Sequence, residues 1–506
     1  MTEPLTPGFD SELVVGLVGA VGAELEQVVT LLDERIKRAG YAVEVITISS
    51  DVIAKIANAP ISSESKFDRI SSLMTAGNVA RERANDDAIL AYGASSIIFA
   101  NRSREVESLP APPRQKVAYI IKSLKRPEEV DALRFIYPQG FVLVGVHADL
   151  ARRLAHLEHD VGMSKDQAIE LVRRDDEESR VPHGQRVKRT FHLADFFVQI
   201  TGDGDQLRNE IRRMVEIWFG HPYITPTFDE YAMYFAFAAA MRSADLSRQV
   251  GAVLTRKNQI LASGANECPA AGGGQYWPKA NASDEETRDF ANGRDYRRGV
   301  DSNRVEQLRI IQDIVEKGSK PDYGFSPEKL TKLLKESRIL DLTEYGRVVH
   351  AEMEAILACC RTGISTIDAD LHCTTFPCHN CAKHIIAAGI KRVVYIEPYA
   401  KSKALEFHDE AITTDNLIPG ENKVKFEPFV GIGPRRFFDL FSMQLGTGYE
   451  LIRKNKETGK RMHWVANEAK LRIQMNPNSY LDHEVLASKR FSAFQDTLES
   501  GTENQK

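Results

Sequence analysis

Residues 12–19 read ELVVGLVG, an almost unbroken apolar run that ends in glycine. A short apolar run bounded by turn residues predicts a strand buried on both faces. Residues 20–29 then take helical spacing, and 42–48 return to an apolar-rich stretch. Together they make β-loop-α-β, the opening of a parallel α/β sheet. Further apolar segments at 95–99, 116–121, 140–146 and 195–200 are predicted as core strands with helical stretches between them. A helix over about 206–219 closes this region. The segment 221–226, with Pro222 and Pro226 just after Gly220, is predicted as a linker.

The pattern then changes. Residues 229–242 combine aromatics, alanines and methionines and predict a buried helix. Residues 249–254 and 259–266 flank a turn at Arg256-Lys257-Asn258 and predict a β-hairpin. A polar, irregular stretch at about 270–345 reads as an insertion, of the kind that sets specificity or assembly. Beyond it come a helix entry at 348–357, a strand at 370–375, a helix over 381–389 stopped by Gly389, and a strand at 392–396. That order predicts a mixed sheet flanked by helices. Another strand is expected at 423–430, a segment packing on the first region at 435–441, and a disordered polar tail from about Thr497. The expected division is therefore 1–220 for a parallel α/β domain, 221–226 for the linker, 227–445 for the second domain, and 446–506 for an extension.

Two features of the first domain bear on chemistry. Gly16, Gly19 and Gly22 lie where a phosphate-binding loop would follow the first strand, which makes them a candidate nucleotide-binding loop. The pattern G-x-x-x-x-G-K-[ST] is not met, because Ala23 and Glu24 follow Gly22. The lysine that reaches phosphates and the hydroxyl that holds magnesium are both missing, and Glu24 repels phosphate. The domain thus reads as P-loop-like with a degenerate loop. The charged stretch at 173–178 reads as a solvated helix or lid.

Composition narrows the classes. A chain of 506 residues with a net charge of −5 is large enough for two or three domains and argues against a broad basic nucleic-acid surface. Six cysteines in this length do not form a disulfide framework. Cys268, Cys359, Cys360 and Cys373 read as small core residues. No run is long enough to span a membrane, and no signal peptide is seen at Met1, which predicts a reducing, cytoplasmic setting.

The strongest signal lies in two short stretches, His350-Ala351-Glu352 and Pro377-Cys378-His379-Asn380-Cys381. They spell H-x-E and P-C-x-x-C, the pattern of zinc-dependent nucleobase deaminases. One histidine and two cysteines give three protein ligands, whereas a structural zinc takes four, so a position is left for water. Glu352 beside the metal is the natural proton shuttle. A structural Cys/His knot explains neither Glu352 nor Pro377.

Residues 228–412 resemble the deoxycytidylate deaminases of the cytidine deaminase superfamily. The likeness is carried by 242–245 (RSAD), 249–253 (QVGAV), 264–266 (GAN), 350–352 (HAE), 376–383 (FPCHNCAK) and 387–393 (AAGIKRV). The whole architecture, extending through 119–125 and 429–437, is similar to the bacterial antiviral dCTP deaminases, with a P-loop-like domain fused in front. The resemblance implies a three-layer α/β/α deaminase domain with zinc on His350, Cys378 and Cys381. It also implies that Glu352 shuttles protons, Asn266 contacts the nucleoside and the backbone at Ala351 reads the base. Arg248, Tyr399, Lys401 and Lys403 are candidate triphosphate contacts. One departure falls at Glu354, where deoxycytidylate deaminases have asparagine. The implied activity is deamination of dCTP, dCMP or both, with dCTP depletion as antiviral defence; the partners implied are a homo-oligomer and a regulatory RNA inhibitor. The competing readings are a housekeeping dCMP deaminase and a polynucleotide deaminase acting on cytosine or adenine.

Overall fold

The computed structural model describes residues 10–57, 61–103, 113–178, 181–278, 289–399, 402–415, 422–444, 449–455, 457–475 and 477–503. The chain divides into two compact units, 1–230 with 430–506, and 231–429.

The first unit is built on a six-stranded sheet. Five of its strands are β1 (Leu13–Gly19), β2 (Ala42–Thr47), β3 (Val117–Leu124), β4 (Phe141–Ala148) and β5 (Phe196–Ile200), parallel to one another, in the order β5-β4-β1-β3-β2. Every residue of β1 is buried, as an apolar run with helices on both faces requires. Leu13, Val15 and Leu17 pack with Val28, Leu32 and Ile36 of the helix Leu25–Arg38 and with Leu207, Ile211 and Trp218 of the helix Gly204–Trp218. Beside β3, buried Glu12 and Glu484 share the guanidinium of Arg102 from the helix Ile89–Ser103. Glu484 belongs to the helix Pro477–Glu503. A charge buried this completely persists only because it is paired and hydrogen-bonded.

Four expectations change here. Residues 95–99, expected as a strand, lie inside the helix Ile89–Ser103, whose buried positions Leu90, Ala94, Ile98 and Arg102 follow the helical period. Residues 430–445, grouped on sequence with the second domain, return to the first. Gly431–Ile432 adds an antiparallel edge strand to β5, and Arg436 donates to the carbonyl of Phe141. The extension also belongs there, with Tyr223 donating to the carbonyls of Arg453 and Met462 and Trp464 to that of Phe219. The tail expected to be disordered from Thr497 continues as helix to Glu503, and 504–506 lie outside the described residues. Fully buried Glu230 joins the two points where the chain leaves and re-enters this unit. Its carboxylate takes both ends of Arg213 and the Ile432 N–H at 2.8 Å.

The second unit has a mixed sheet of β6 (Gly251–Arg256), β7 (Gln259–Ala265), β8 (Asp370–Thr375), β9 (Arg392–Glu397), β10 (Ile412–Thr413) and β11 (Val424–Pro428), ordered β10-β11-β9-β8-β6-β7. β6 runs antiparallel to both β7 and β8, and the other pairs are parallel. The hairpin turn puts Lys257 and Asn258 at φ 52° and 58°, the pairing that a two-residue turn matching strand twist demands. Two glycines set the layers. A Cβ on Gly251 would meet the Ala236 carbonyl, and one on Gly264 would meet the Ala351 carbonyl and the Ala355 nitrogen. Gly251 opposes Ala265 and Gly264 opposes Ala252, so the two glycines face opposite sides of the sheet. The helices Phe228–Ala240 and Ala351–Thr362 therefore cover opposite faces, giving three layers. The first of these helices differs from the buried one expected. Ala232, Met233, Ala236 and Ala240 face in, while Tyr231, Phe235, Phe237 and Met241 are exposed, because close approach to Gly251 admits only small side chains.

Candidate functional site

His350 is the N-cap of the helix Ala351–Thr362, and Cys378 is the N-cap of the helix His379–Ala387. Cys381 sits in the first turn of the latter. Side chains at helix starts lie in the positive end of the dipole, which favours thiolate. What fixes His350 is the residue before it. Val349 and Glu267 exchange backbone hydrogen bonds at 3.1 and 3.2 Å, so the chain leaving β7 holds the entry to the helix.

The structure brings His350, Cys378 and Cys381 together, with one donor atom of each within 4.8 Å of the others. His350 Nδ1 lies 3.4 Å from Cys378 Sγ and 3.3 Å from Cys381 Sγ. A tetrahedral zinc with Zn–S of about 2.3 Å and Zn–N of about 2.0–2.1 Å would separate such atoms by about 3.6 Å. The donor set, two soft thiols and an imidazole, also suits zinc. The residues therefore fit the ion and could hold it with one position to spare.

Glu352, two residues on, is 4% exposed, and burial raises its carboxyl above the ordinary range. The hydrogen bond from Cys381 pulls Cys378 down to about 4, and Cys378 in turn raises His350 to about 9. Cys381, which donates that bond, is held well above the usual thiol range. These shifts describe three donors competing for protons that a cation displaces. Cys373, on β8, is fully buried against the same group, as is Cys268 elsewhere in the unit; Cys360, expected in the core, is exposed.

The expected substrate contacts fall differently. Asn266 is buried at the end of β7 and its carboxamide is used at both ends. Oδ1 accepts from Val250 N–H and Nδ2 donates to the Arg248 carbonyl, each at 2.7 Å. Ala351 is fully buried in the first turn beside Gly264. Arg248 donates to Glu397 at 2.7 Å, with its guanidinium 5.5 Å from the ring of Tyr399. Lys403 pairs with Glu406. Lys401 lies outside the described residues.

Several groups around the site carried no pattern that sequence could show. Glu397 takes Arg248 and Thr375, and Ser402 donates to the Pro377 carbonyl at 2.8 Å, latching the segment after β9 to the second motif. Buried Glu267 accepts from the N–H groups of Ala244 and Cys268. Glu354 faces Arg361 at 2.5 Å rather than the thiols, and Arg361 in turn packs over Gly273. In the first unit, Gly16 lies within β1 and Gly19 ends it, both closely packed, while Gly22 sits at φ 85° against the Arg153 backbone.

The model of the "Cytidine and deoxycytidylate deaminase zinc-binding region" matches residues 226–397. The chain is 32% identical over 171 residues to the deoxycytidylate deaminase of Enterobacteria phage T4, covering 33% of this chain and 77% of that protein. It is 51% identical over 54 residues to ComE operon protein 2 of Bacillus subtilis, which is 11% of this chain and only 29% of that protein. The solved dCMP deaminase of cyanophage S-TIM5 is 18% identical, at a TM-score of 0.22, covering 41% of this chain and 100% of that one.

Proposed function

Because this chain belongs to the deoxycytidylate deaminase family, with that family's zinc-binding region, we propose that it hydrolytically deaminates free deoxycytidine nucleotides, dCMP or dCTP, to the uracil forms and ammonia. The observation that carries this reading is the convergence of His350, Cys378 and Cys381 beside buried Glu352.

His350, Cys378 and Cys381 would hold zinc, which would supply the acidification that lets a water lose a proton near neutral pH. Glu352 takes the proton from the water that attacks the ring carbon bearing the amine. The same carboxyl delivers it to the neighbouring ring nitrogen and then assists the amine to leave as ammonia. Burial of Glu352 suits both duties, since it keeps the carboxyl ready to hold a proton. Ala351, in the first helical turn, offers backbone to the base. Asn266 holds the 248–250 segment against β7 and so shapes the nucleoside side. Arg248, stacked near Tyr399, meets the phosphates. On this reading the finer assignment is dCTP, consumed to deny it to an infecting phage. Its support is the resemblance of the stretches 119–125 and 429–437, beside the deaminase motifs, to the antiviral deaminases.

The test is ammonia release by zinc-loaded protein from dCTP, dCMP, deoxycytidine, CTP and a cytosine-containing single strand. Turnover of dCTP or dCMP supports the reading, and their ratio shows which phosphates are read. Activity on the single strand alone would replace it with a polynucleotide deaminase. Glu352→Gln should retain zinc and lose at least about a thousandfold in turnover.

A further inference from the structure

The placement of a histidine ligand depends on what holds its ring and what holds its backbone. Metal-bound histidines are usually oriented by a partner on the second ring nitrogen. His350 has no such partner: among the described residues its ring is hydrogen-bonded only to the thiols of Cys378 and Cys381, both through Nδ1. Its orientation therefore rests on its main chain. That main chain is set by the backbone bridge between Val349 and Glu267.

One short stretch of the insertion grips both chains of this bridge. On the β7 side, Arg294 lies 3.5 Å from the carboxylate of buried Glu267, which also accepts the N–H groups of Ala244 and Cys268. On the other side is Arg347, two residues before Val349. It donates to the Asp295 carboxylate at 2.6 Å and to the Gly293 carbonyl at 2.9 Å. Three consecutive residues of the insertion, 293–295, thus hold the chain that leaves β7 and the chain that enters His350.

The grip is itself braced. The guanidinium of Arg294 lies 3.0 Å from Asp289 and donates to the Tyr276 carbonyl at 2.8 Å. Tyr296 donates to Asp289 at 2.8 Å, and the rings of Tyr276 and Phe290 stack with centroids 5.3 Å apart. Arg294, Asp289 and Asp295 are each at most 7% exposed. Buried charge is costly to keep, and apolar side chains of similar volume often hold a fold as firmly. What a guanidinium fork adds is a fixed direction. The distal part of the insertion is tied to itself instead. Gln307, on the helix Ser302–Gly318, donates to the carbonyls of Leu340 and Leu342.

We propose that Arg294 and Asp295 are positioning residues for the zinc ligand His350, so that the insertion serves the metal site by fixing the backbone from which that ligand projects. This rests on the zinc-site reading above and not on which nucleotide is turned over. The test uses the full chain, with zinc affinity read by competition with a chromophoric chelator. Cobalt(II) put in place of zinc reports the geometry of a site with two thiolates through its visible absorption. Arg294→Met and Asp295→Asn should each weaken zinc binding at least about tenfold and shift or weaken the cobalt bands, as loss of a group that orients a ligand does. In both, kcat should fall about tenfold or more while KM for the nucleotide stays within about threefold. Arg294→Lys, which keeps the charge and loses the fork, should fall between wild type and Arg294→Met. Gln307→Leu, which loosens the distal insertion without touching the bridge, should leave zinc affinity and cobalt spectrum at wild-type values. If Arg294→Met fails to fold, Asp295→Asn and Arg294→Lys decide. Wild-type affinity and spectrum in the folded variants, or an equal change in Gln307→Leu, would overturn the proposal. A wild type that binds metal and deaminates nothing would remove the deaminase reading and leave this one standing, since neither metal readout needs substrate.

Discussion

Asn266 holds Val250 and Arg248 from one carboxamide, accepting the Val250 N–H and donating to the Arg248 carbonyl at 2.7 Å each. A residue that ties two chain segments together has a structural duty whether or not it also touches a sugar. Removing it takes a partner from two backbone groups, the Val250 N–H and the Arg248 carbonyl. Asn266→Ala should therefore lower stability by about 1–3 kcal/mol as well as kcat/KM. A side chain that met only substrate would lower kcat/KM and leave the denaturation midpoint in place, and that is the outcome to look for against this reading.

Arg248 is free to change partners. Its bond to Glu397 joins two partly exposed groups, worth about 1 kcal/mol or less, so a phosphate can displace the carboxylate at little cost. Arg248→Ala should raise KM for dCMP or dCTP about three- to tenfold and leave KM for deoxycytidine unchanged. Glu397→Gln should lower the nucleotide KM. Steady-state kinetics on the three substrates check both, and an equal effect on deoxycytidine would take Arg248 off the phosphates.

How far the sequence reached can be seen in which residues it placed. Motif spacing singled out His350, Glu352, Cys378 and Cys381, and the structure brings one donor atom each of His350, Cys378 and Cys381 within 4.8 Å of the others. Alternation around Lys257-Asn258 found the hairpin. Residues 95–99 misled because a short apolar run has no period of its own. Only the longer pattern from Leu90 to Arg102 reveals the helix. Asp175 and Glu178 read as solvated because charge is normally exposed. Both are buried, since one caps Val21 N–H and the other accepts from Gln185 N–H and Asn78. No local pattern announces a partner 154 residues away.

Zinc should matter to folding as well as to turnover. With metal bound only by the native arrangement, binding energy adds to stability. Removing it with a chelator should lower the melting temperature of the second unit and abolish ammonia release, and added zinc should restore both. Cys381→Ser should bind less than about a tenth of the wild-type zinc, measured by atomic absorption. Full metal content in that variant would exclude Cys381 as a ligand.

Lys125 gives the first unit a distinctive response to pH. Burial pushes its ammonium below the ordinary lysine value, opposed by Asp175, Glu129 and Glu178 and reinforced by Arg153. Between that lowered value and about 10.5 the unfolded chain carries the proton and the folded one does not. The unfolded state thus binds more protons there, and stability rises with pH across that window. Lys125→Met should lose this rise, so that urea midpoints of wild type and variant draw together as pH climbs toward 10. Curves that stay parallel would mean that Lys125 is not the titrating group.

Gly264 offers the sharpest test of how the fold positions the chemistry. Its missing side chain lets β7 touch the first turn of the helix that carries Glu352, and a Cβ there would lie 2.6 Å from the Ala355 nitrogen as well as against the Ala351 carbonyl. Both obstacles are backbone, so neither can rotate away, and the helix itself must shift. Gly264→Ala should destabilise by about 1–3 kcal/mol, the usual cost of overpacking. It should also lower kcat by about a hundredfold, since a displacement of an ångström misaligns a proton-transfer group. Gly363→Ala, at the far end of the same helix with open space around its Cβ but φ 69°, should cost about 1 kcal/mol of stability and leave kcat within a factor of two. Comparable kcat losses in the two variants would show that general weakening of the helix, rather than placement of its first turn, controls the reaction.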